Sequence, residues 1–216
     1  MGPVPVVIFY DLETTNFDFI KENRHKDVQI VSIGAVNGKT GEEYHKYMVP
    51  TCAISPGASE INKIKKSGDG LTLRGTEVKA GQPKEVLEDF MDWLDRQTMD
   101  FLVAHNNYGF DSIVLRNNLK RFGVNRQIRI SKNKDSWAFM KKLKREFPEL
   151  DFQYFRLQHC LKIFSDEENP TVLHDALQDA KDCQLICDRG AKKLGFQDYA
   201  KYLASNNRRQ EWVFNV

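Results

Sequence analysis

Residues Val6–Thr15 read VVIFYDLETT. Val6 to Tyr10 are β-branched or aromatic without interruption, bounded upstream by Pro3 and Pro5. That is the pattern of a strand buried on both faces. The apolar run stops at Asp11, and alternation along a strand puts Asp11 and Glu13 on one face at its end. Two carboxylates beside a buried sheet repel each other and lose hydration. A positive partner is therefore expected there, and a pair of Mg2+ or Mn2+ ions would supply it.

Working outward, a charged stretch containing KENRHK separates this strand from VQIVSIGAV, Val28 to Val36, a second strand followed by a turn at Asn37-Gly38. EEYHKYMV, Glu42 to Val49, alternates as a third strand, so the pair reads as a hairpin. Thr51 to Gly70 reads as irregular, with a helical turn near Ala58 to Lys65. Gln82 to Gln97 places Val86, Leu87, Phe90, Trp93 and Leu94 at helical spacing, with Pro83 suited to the first turn. DFLVAH, Asp100 to His105, is a further buried strand, and Phe110 to Phe122 a helix ended by Gly123. Gln127 to Asp135 holds a last short strand. Trp137 to Phe147, Phe155 to Phe164 and His174 to Leu194 read as helices. Strands first and interleaved helices later predict one α/β domain with a mixed sheet.

The chain has 216 residues, enough for one well-cored domain, with 41% hydrophobic and 29% charged residues as in soluble globular proteins. No apolar stretch approaches the roughly 20 residues of a membrane span, so no membrane partner is expected. MGPVPVV lacks the basic region of a signal peptide, and Val6 stands where N-myristoylation wants Ser or Thr. The net charge of +2 is too small to argue for nucleic-acid binding. Lys141, Lys142, Lys144 and Arg145 cluster, as do Arg208 and Arg209, but a solvated helix face explains the first cluster equally well. Cys52, Cys160, Cys183 and Cys187 form no CxxC pair and read as buried thiols of a reducing compartment, cytoplasmic or nuclear.

Three segments carry candidate chemistry: the D-x-E pair Asp11/Glu13, HNNYGFD from His105 to Asp111, and HDALQDA from His174 to Ala180. Each is weak alone. D-x-E recurs at Asp166/Glu168 in a loop-like SDEENP run, where solvated charge is the natural reading. Asp111 is placed to cap the helix it precedes, and His174 to sit at a helix start for similar reasons. Order changes the weighing. A D-x-E at the end of a first strand, an Asp heading a central helix and H-x-x-x-x-D on a C-terminal helix coincide in one chain. No P-loop, G-x-G-x-x-G or G-x-S-x-G competes with them.

In these segments the chain resembles the DEDDh group of 3′→5′ exonucleases in the RNase H-like superfamily. The resemblance rests on FYDLETT, VAHNNYGFD and LHDALQDA, supported by VQIVSIGAV, ISPGASEINKI and KDSWAFMKK. It spans about Val6 to Leu194 and implies an RNase H-like α/β fold, a mixed five-stranded sheet flanked by helices. The domain expectation is a single exonuclease domain over 1–216, with a core at about 6–194 and a C-terminal extension at 195–216. One departure is Asn16, where many relatives carry glycine; asparagine is the next most tolerant residue for a left-handed turn.

The resemblance also implies roles. Asp11, Glu13, Asp111 and Asp179 would hold two Mg2+ ions roughly 3.5–4 Å apart, with Mn2+ able to substitute. Asp11 would bridge both ions, Glu13 and Asp179 would lie on the nucleophile side, and Asp111 would assist through water. His174 is the general-base candidate; its five-residue lead over Asp179 sets it at the helix mouth or in the preceding loop. Glu13 and Thr14 match positions that meet the terminal 3′-nucleotide. Phe17 and Tyr108 are candidates for stacking on unpaired bases, His105 and Asn106 for lining the cleft, and Phe110 reads better as a core aromatic. The expected activity is removal of 5′-mononucleotides from single-stranded DNA or RNA 3′ ends. DNA is slightly favoured, by analogy with repair-type exonucleases that have a short second motif and no extra domain. The rivals are an RNA-trimming exoribonuclease and a catalytically silent nucleic-acid-binding or protein-interaction module of the same fold. The group contains monomers and dimers, so a homodimer is among the assemblies it implies.

Overall fold

Strand β1 (Val7–Thr14) does not stop where its apolar run stops. The computed structural model, which describes residues 3–17, 25–166 and 174–211 with side chains to residue 206, carries the strand through both carboxylates. Asp11 lies opposite Gly34 and Glu13 opposite Ser32 of the antiparallel β2 (Ile30–Asn37), with a bulge between Glu13 and Thr14. Pairing of the Glu13 backbone inside the ladder fixes its side chain more firmly than a frayed strand end would.

Around β1 the order is β7-β3-β2-β1-β8-β9, with β3 at Glu43–Met48, β7 at Ala80–Gly81, β8 at Phe101–Ala104 and β9 at Asn133–Asp135. Only β2 runs against the rest. The sheet has six strands where five were expected, because the two-residue β7 extends its outer edge. The segment read as irregular is ordered. Ser55 caps α1 (Pro56–Asn62), and a three-stranded antiparallel sheet follows, β4 (Ile64–Ser67), β5 (Gly70–Leu73) and β6 (Thr76–Val78). Strands of three or four residues are too short to show a period, which is why they escaped the pattern.

Alternation divides β1 between two cores. Ile8, Tyr10 and Leu12 pack with α2 (Pro83–Arg96) and α3 (Asp111–Arg121). Val7 and Phe9 pack on the other face with α4 (Ser136–Glu146), α5 (Leu157–Phe164), α6 (Ala176–Lys193) and α7 (Tyr199–Glu211). Asp11 and Glu13 continue the odd-numbered face, so they open towards α6. Cys160, Cys183 and Cys187 are buried in that second core, while Cys52 is half-buried. Helix α7 belongs to the core as well: Tyr199 and Tyr202 meet Phe139 with ring centroids 4.8 and 4.7 Å apart. Arg208 and Arg209 of its last turns, Glu168 of the second D-x-E and most of KENRHK lie outside the described side chains.

Candidate active site

Two cross-strand rows cover the sheet beneath the start of α6: Asp11–Gly34–His45 and Glu13–Ser32–Tyr47. Gly34 decides how closely the helix approaches. A Cβ there would lie 2.1 Å from Ala176 C and Leu177 N, so any larger residue would push the first turn of α6 off the strand. Asp175 caps that helix, accepting from the Gln178 N–H at 3.1 Å, and Asp179 follows one turn later. His174 precedes the cap, exposed and held at φ +47. A left-handed histidine stores backbone strain, here beside the acidic residues. Ligand atoms of Glu13, His174 and Asp179 lie within 4.8 Å of one another.

Asp111 arrives from the opposite core. Strand β8 pairs with β1 only at Val7, Ile8 and Phe9, which leaves the later residues of β1 unpaired on that side. Asp111 opens α3 there, and its carboxylate accepts from its own N–H and from that of Leu12, between Asp11 and Glu13. The residue at the cap position is Phe110, with no side-chain cap bond, so capping is not what holds Asp111.

Burial and mutual repulsion raise all four acids. Asp11 is pushed up by burial and by Asp111 and Asp175; Glu13 by burial, Asp11, Asp179 and Asp175. Burial, Asp135 and Asp179 lift Asp111 from its ordinary 3.8 to about 8, and burial, Asp11, Asp182 and Asp175 lift Asp179 to about 9. Rises of about four and about five pH units are worth roughly 6 and 7 kcal/mol against the ionised form. Asp111 and Asp179 both sit in first helical turns, but a helix N-terminus returns only about 0.3–1 kcal/mol. Asp179 Oδ1 is buried with no hydrogen-bond partner among the described residues. Hard oxygen donors short of compensation, with Glu13 and Asp179 in reach of each other and of His174, fit a divalent cation.

The residues expected to meet substrate divide. Tyr108 is 53% exposed, with its hydroxyl donating to the Asn133 carbonyl at 3.2 Å. Phe17 and Phe110 lie with ring centroids 6.5 Å apart, and His25 stands edge-on to Phe110 at 4.9 Å. Phe110 is half-buried rather than fully in the core. Thr14 is buried and its hydroxyl donates to the Asn16 carbonyl at 3.0 Å. His105 has both ring nitrogens engaged, Nε2 with the Phe155 carbonyl at 2.6 Å and Nδ1 with Ser136 Oγ at 2.7 Å. The carbonyl must accept, so Nε2 donates, and burial lowers the pKa of the ring. Asn106 is exposed at φ +66, its N–H donating to Asp135 Oδ1 at 3.0 Å. Asn16 is not left-handed; its side chain accepts from the Phe17 N–H at 2.8 Å, which replaces the glycine turn.

Several residues of this region gave no sequence signal. Asn62 donates to the Thr14 carbonyl at 3.2 Å and hydrogen-bonds the Glu13 carboxylate. Asn107 is fully buried and accepts from the Tyr10 hydroxyl at 2.7 Å. Asp135 organises the loop after β8. His45 and Tyr47 reach the site through strand register, which becomes countable only once the hairpin turn is fixed.

Known proteins share the family pattern and the fold. The RNase_T exonuclease family pattern matches residues 8–186. No curated protein sequence matches the chain. The nuclease domain of 3'hExo, a DEDDh family member solved with bound rAMP, is similar with a TM-score of 0.63 at 14% identity, over 91% of this chain and 96% of that one. Cell-death related nuclease 4 (CRN-4) is similar with a TM-score of 0.63 at 15% identity, over 91% of this chain and 66% of that one. At such identities the two structures establish the shared fold.

Proposed function

The chain belongs to the RNase_T family of exonucleases, and from that premise we propose that it removes nucleotides one at a time from the 3′ ends of single-stranded nucleic acid. It is an enzyme of DEDDh type, metal-dependent and acting on nucleic acid. The observation that carries the finer reading is the gathering of Glu13, His174 and Asp179 within 4.8 Å, with Asp11 and Asp111 near enough to act on them electrostatically, around a buried Asp179 oxygen that no donor satisfies among the described residues. In this reading these carboxylates hold two Mg2+ ions, with Mn2+ as substitute, and the exonuclease unit takes in α7 as well as the motifs. Bound ions would supply activation of the attacking water and stabilisation of charge on the departing 3′ oxygen.

The chain's own residues do the rest. His174, exposed at the mouth and beside Glu13 and Asp179, takes the proton from the attacking water. Its pKa is held below the ordinary 6.5 by partial desolvation and by the Lys63 ammonium, which keeps it a neutral acceptor near pH 7. Thr14 presents backbone, and Tyr108 and Phe17 offer faces on which an unpaired base can stack. Products are 5′-mononucleotides. DNA is placed ahead of RNA, and the cytoplasm or nucleus is the proposed setting. The rAMP held by the 3'hExo nuclease domain is a reason to assay RNA as well.

The test is a time course on 5′-labelled single-stranded DNA and RNA of matched sequence with Mg2+, Mn2+ or EDTA, alongside Asp11→Ala. A metal-dependent ladder shortening from the 3′ end, absent in the variant, supports the reading, and the faster ladder names the substrate. His174→Ala should lower turnover by about 10²–10⁴-fold while nucleic-acid binding persists. An unchanged rate removes His174 from the mechanism, and no ladder on either strand favours the silent binding module.

A further inference from the structure

Two basic regions differ in what their charges do. On α4, Lys141 lies 3.6 Å from the Trp137 ring centroid, Lys142 donates to the Tyr202 hydroxyl at 3.1 Å and Lys144 to the Leu150 carbonyl at 3.0 Å. Those lysines are occupied within the protein. On the small sheet and at the ends of its strands, Lys65 and Lys63, Arg74 and Lys79 are all exposed, and none makes an ion pair or side-chain hydrogen bond among the described residues. Glu77 shares the outer face of that sheet, opposite Thr72, without pairing to any of them.

The small sheet is fixed in place beside the acidic site. Ile64 and Leu71 are buried with Val31 of β2, and Asn62, one residue before Lys63, is tied to the Thr14 carbonyl next to Glu13. Lys63 and Arg74 are backbone partners: the Arg74 N–H donates to the Lys63 carbonyl at 2.9 Å. Both are left-handed, at φ +60 and +53, where glycine or asparagine would fit with less strain. Long cations stand there instead. Lys63 acts electrostatically on His174, and Arg74 on Tyr47, which also feels Glu13 and Asp175. Two unpaired cations thus border a cluster of carboxylates without neutralising it.

We propose that this small sheet is a phosphate clamp, in which Lys63 and Arg74 hold the backbone of a single strand upstream of the nucleotide being removed. The substrate class this names is an oligonucleotide rather than a mononucleotide ester, and the proposal rests on the nuclease reading above. The chemistry suits it: guanidinium and ammonium groups bind phosphate strongly, and cations at the rim offset the repulsion an acidic site exerts on a polyanion. An acidic peptide would be drawn by charge too, but it offers no phosphodiester to the neighbouring carboxylate site.

The experiment measures binding of a 5′-fluorescein 12-nucleotide DNA strand, blocked at its 3′ end by a phosphorothioate, by anisotropy at several salt concentrations with Ca2+ present. Lys63→Ala/Arg74→Ala should raise Kd about tenfold and make the log K against log salt slope shallower by about 1.4, since each single-strand phosphate contact contributes about 0.7. The charge-keeping Lys63→Arg/Arg74→Lys pair should retain the wild-type slope. A double-alanine slope equal to wild type overturns the clamp. In turnover with Mg2+, KM for the 12-nucleotide strand should rise more than KM for the p-nitrophenyl ester of thymidine 5′-monophosphate; an equal loss on both places the residues in the site itself and also overturns it. Wild-type protein inert on both substrates sinks the nuclease reading, while the salt slope still decides the clamp.

Discussion

Asp135 and Asp179 are buried alike, each 5% exposed, yet their surroundings are opposite. Asp135, at the end of β9, accepts backbone N–H groups from Asn106 at 3.0 Å, Tyr108 at 3.0 Å and Trp137 at 2.9 Å. Those bonds fix the loop that leads into Asp111 and cap α4. Asp179, in the first turn of α6, has one oxygen without a donor among the described residues and feels Asp11, Asp182 and Asp175. The backbone solvates one carboxylate permanently and leaves the other short of positive charge. The first is built into the scaffold, whereas the second suits a hard cation.

If that contrast holds, Asp179→Asn should reduce kcat/KM by about a thousandfold, since a bound metal is worth several kcal/mol to the transition state. The same variant should leave the metal-free fold intact at neutral pH and raise its Tm above about pH 9, where it removes a repelled charge. Gly34→Ala sharpens the geometric side. Lifting the first turn of α6 by a methyl group should cost about a hundredfold in activity and about 1–3 kcal/mol in stability, read by kinetics and denaturant melts.

The pH dependence of the metal-free protein has a definite sign. Asp111 and Asp179 titrate near 8 and 9 when folded and near 3.8 when unfolded. The folded state therefore binds the extra protons. Their contribution to stability is complete below about pH 4 and is lost as pH rises through 8 and 9. Tm in EDTA should fall across that window, and Mg2+ should recover most at the alkaline end. Asp135→Ala should act in the other direction from Asp179→Asn, destabilising by about 3 kcal/mol through the loss of charge-assisted bonds to the backbone. Equal thermal behaviour of the two variants would erase the distinction between them.

Much of this was legible in the chain itself. Long apolar runs and helical spacing located β1, β2, β8 and most helices, because those segments bury enough surface to impose a period. The four carboxylates and His174 read as one candidate site because their order along the chain is specific even though each piece is not, and the structure brings Glu13, His174 and Asp179 within 4.8 Å. Asp135 was invisible for a physical reason: its partners are backbone groups 27 and 29 residues away and within its own turn. Backbone donors leave no residue-type signature. The short strands at Ile64–Val78 and the aromatic contacts of Tyr199 and Tyr202 also went unread, one for want of length and the other because tertiary packing decides it. His105 shows the reverse error of emphasis, a histidine near the motif whose nitrogens are both taken by the scaffold.

Anomalous diffraction from crystals soaked in Mn2+, with data collected at the manganese edge, tests most directly whether these carboxylates hold a cation. Density is expected at roughly 2 Å from Asp179 and Asp11 carboxylate oxygens, with Glu13 contributing and Asp135 still bonded only to backbone N–H groups. Saturating Mn2+ that leaves these carboxylates without anomalous density, or places it at Asp135 instead, would contradict that expectation.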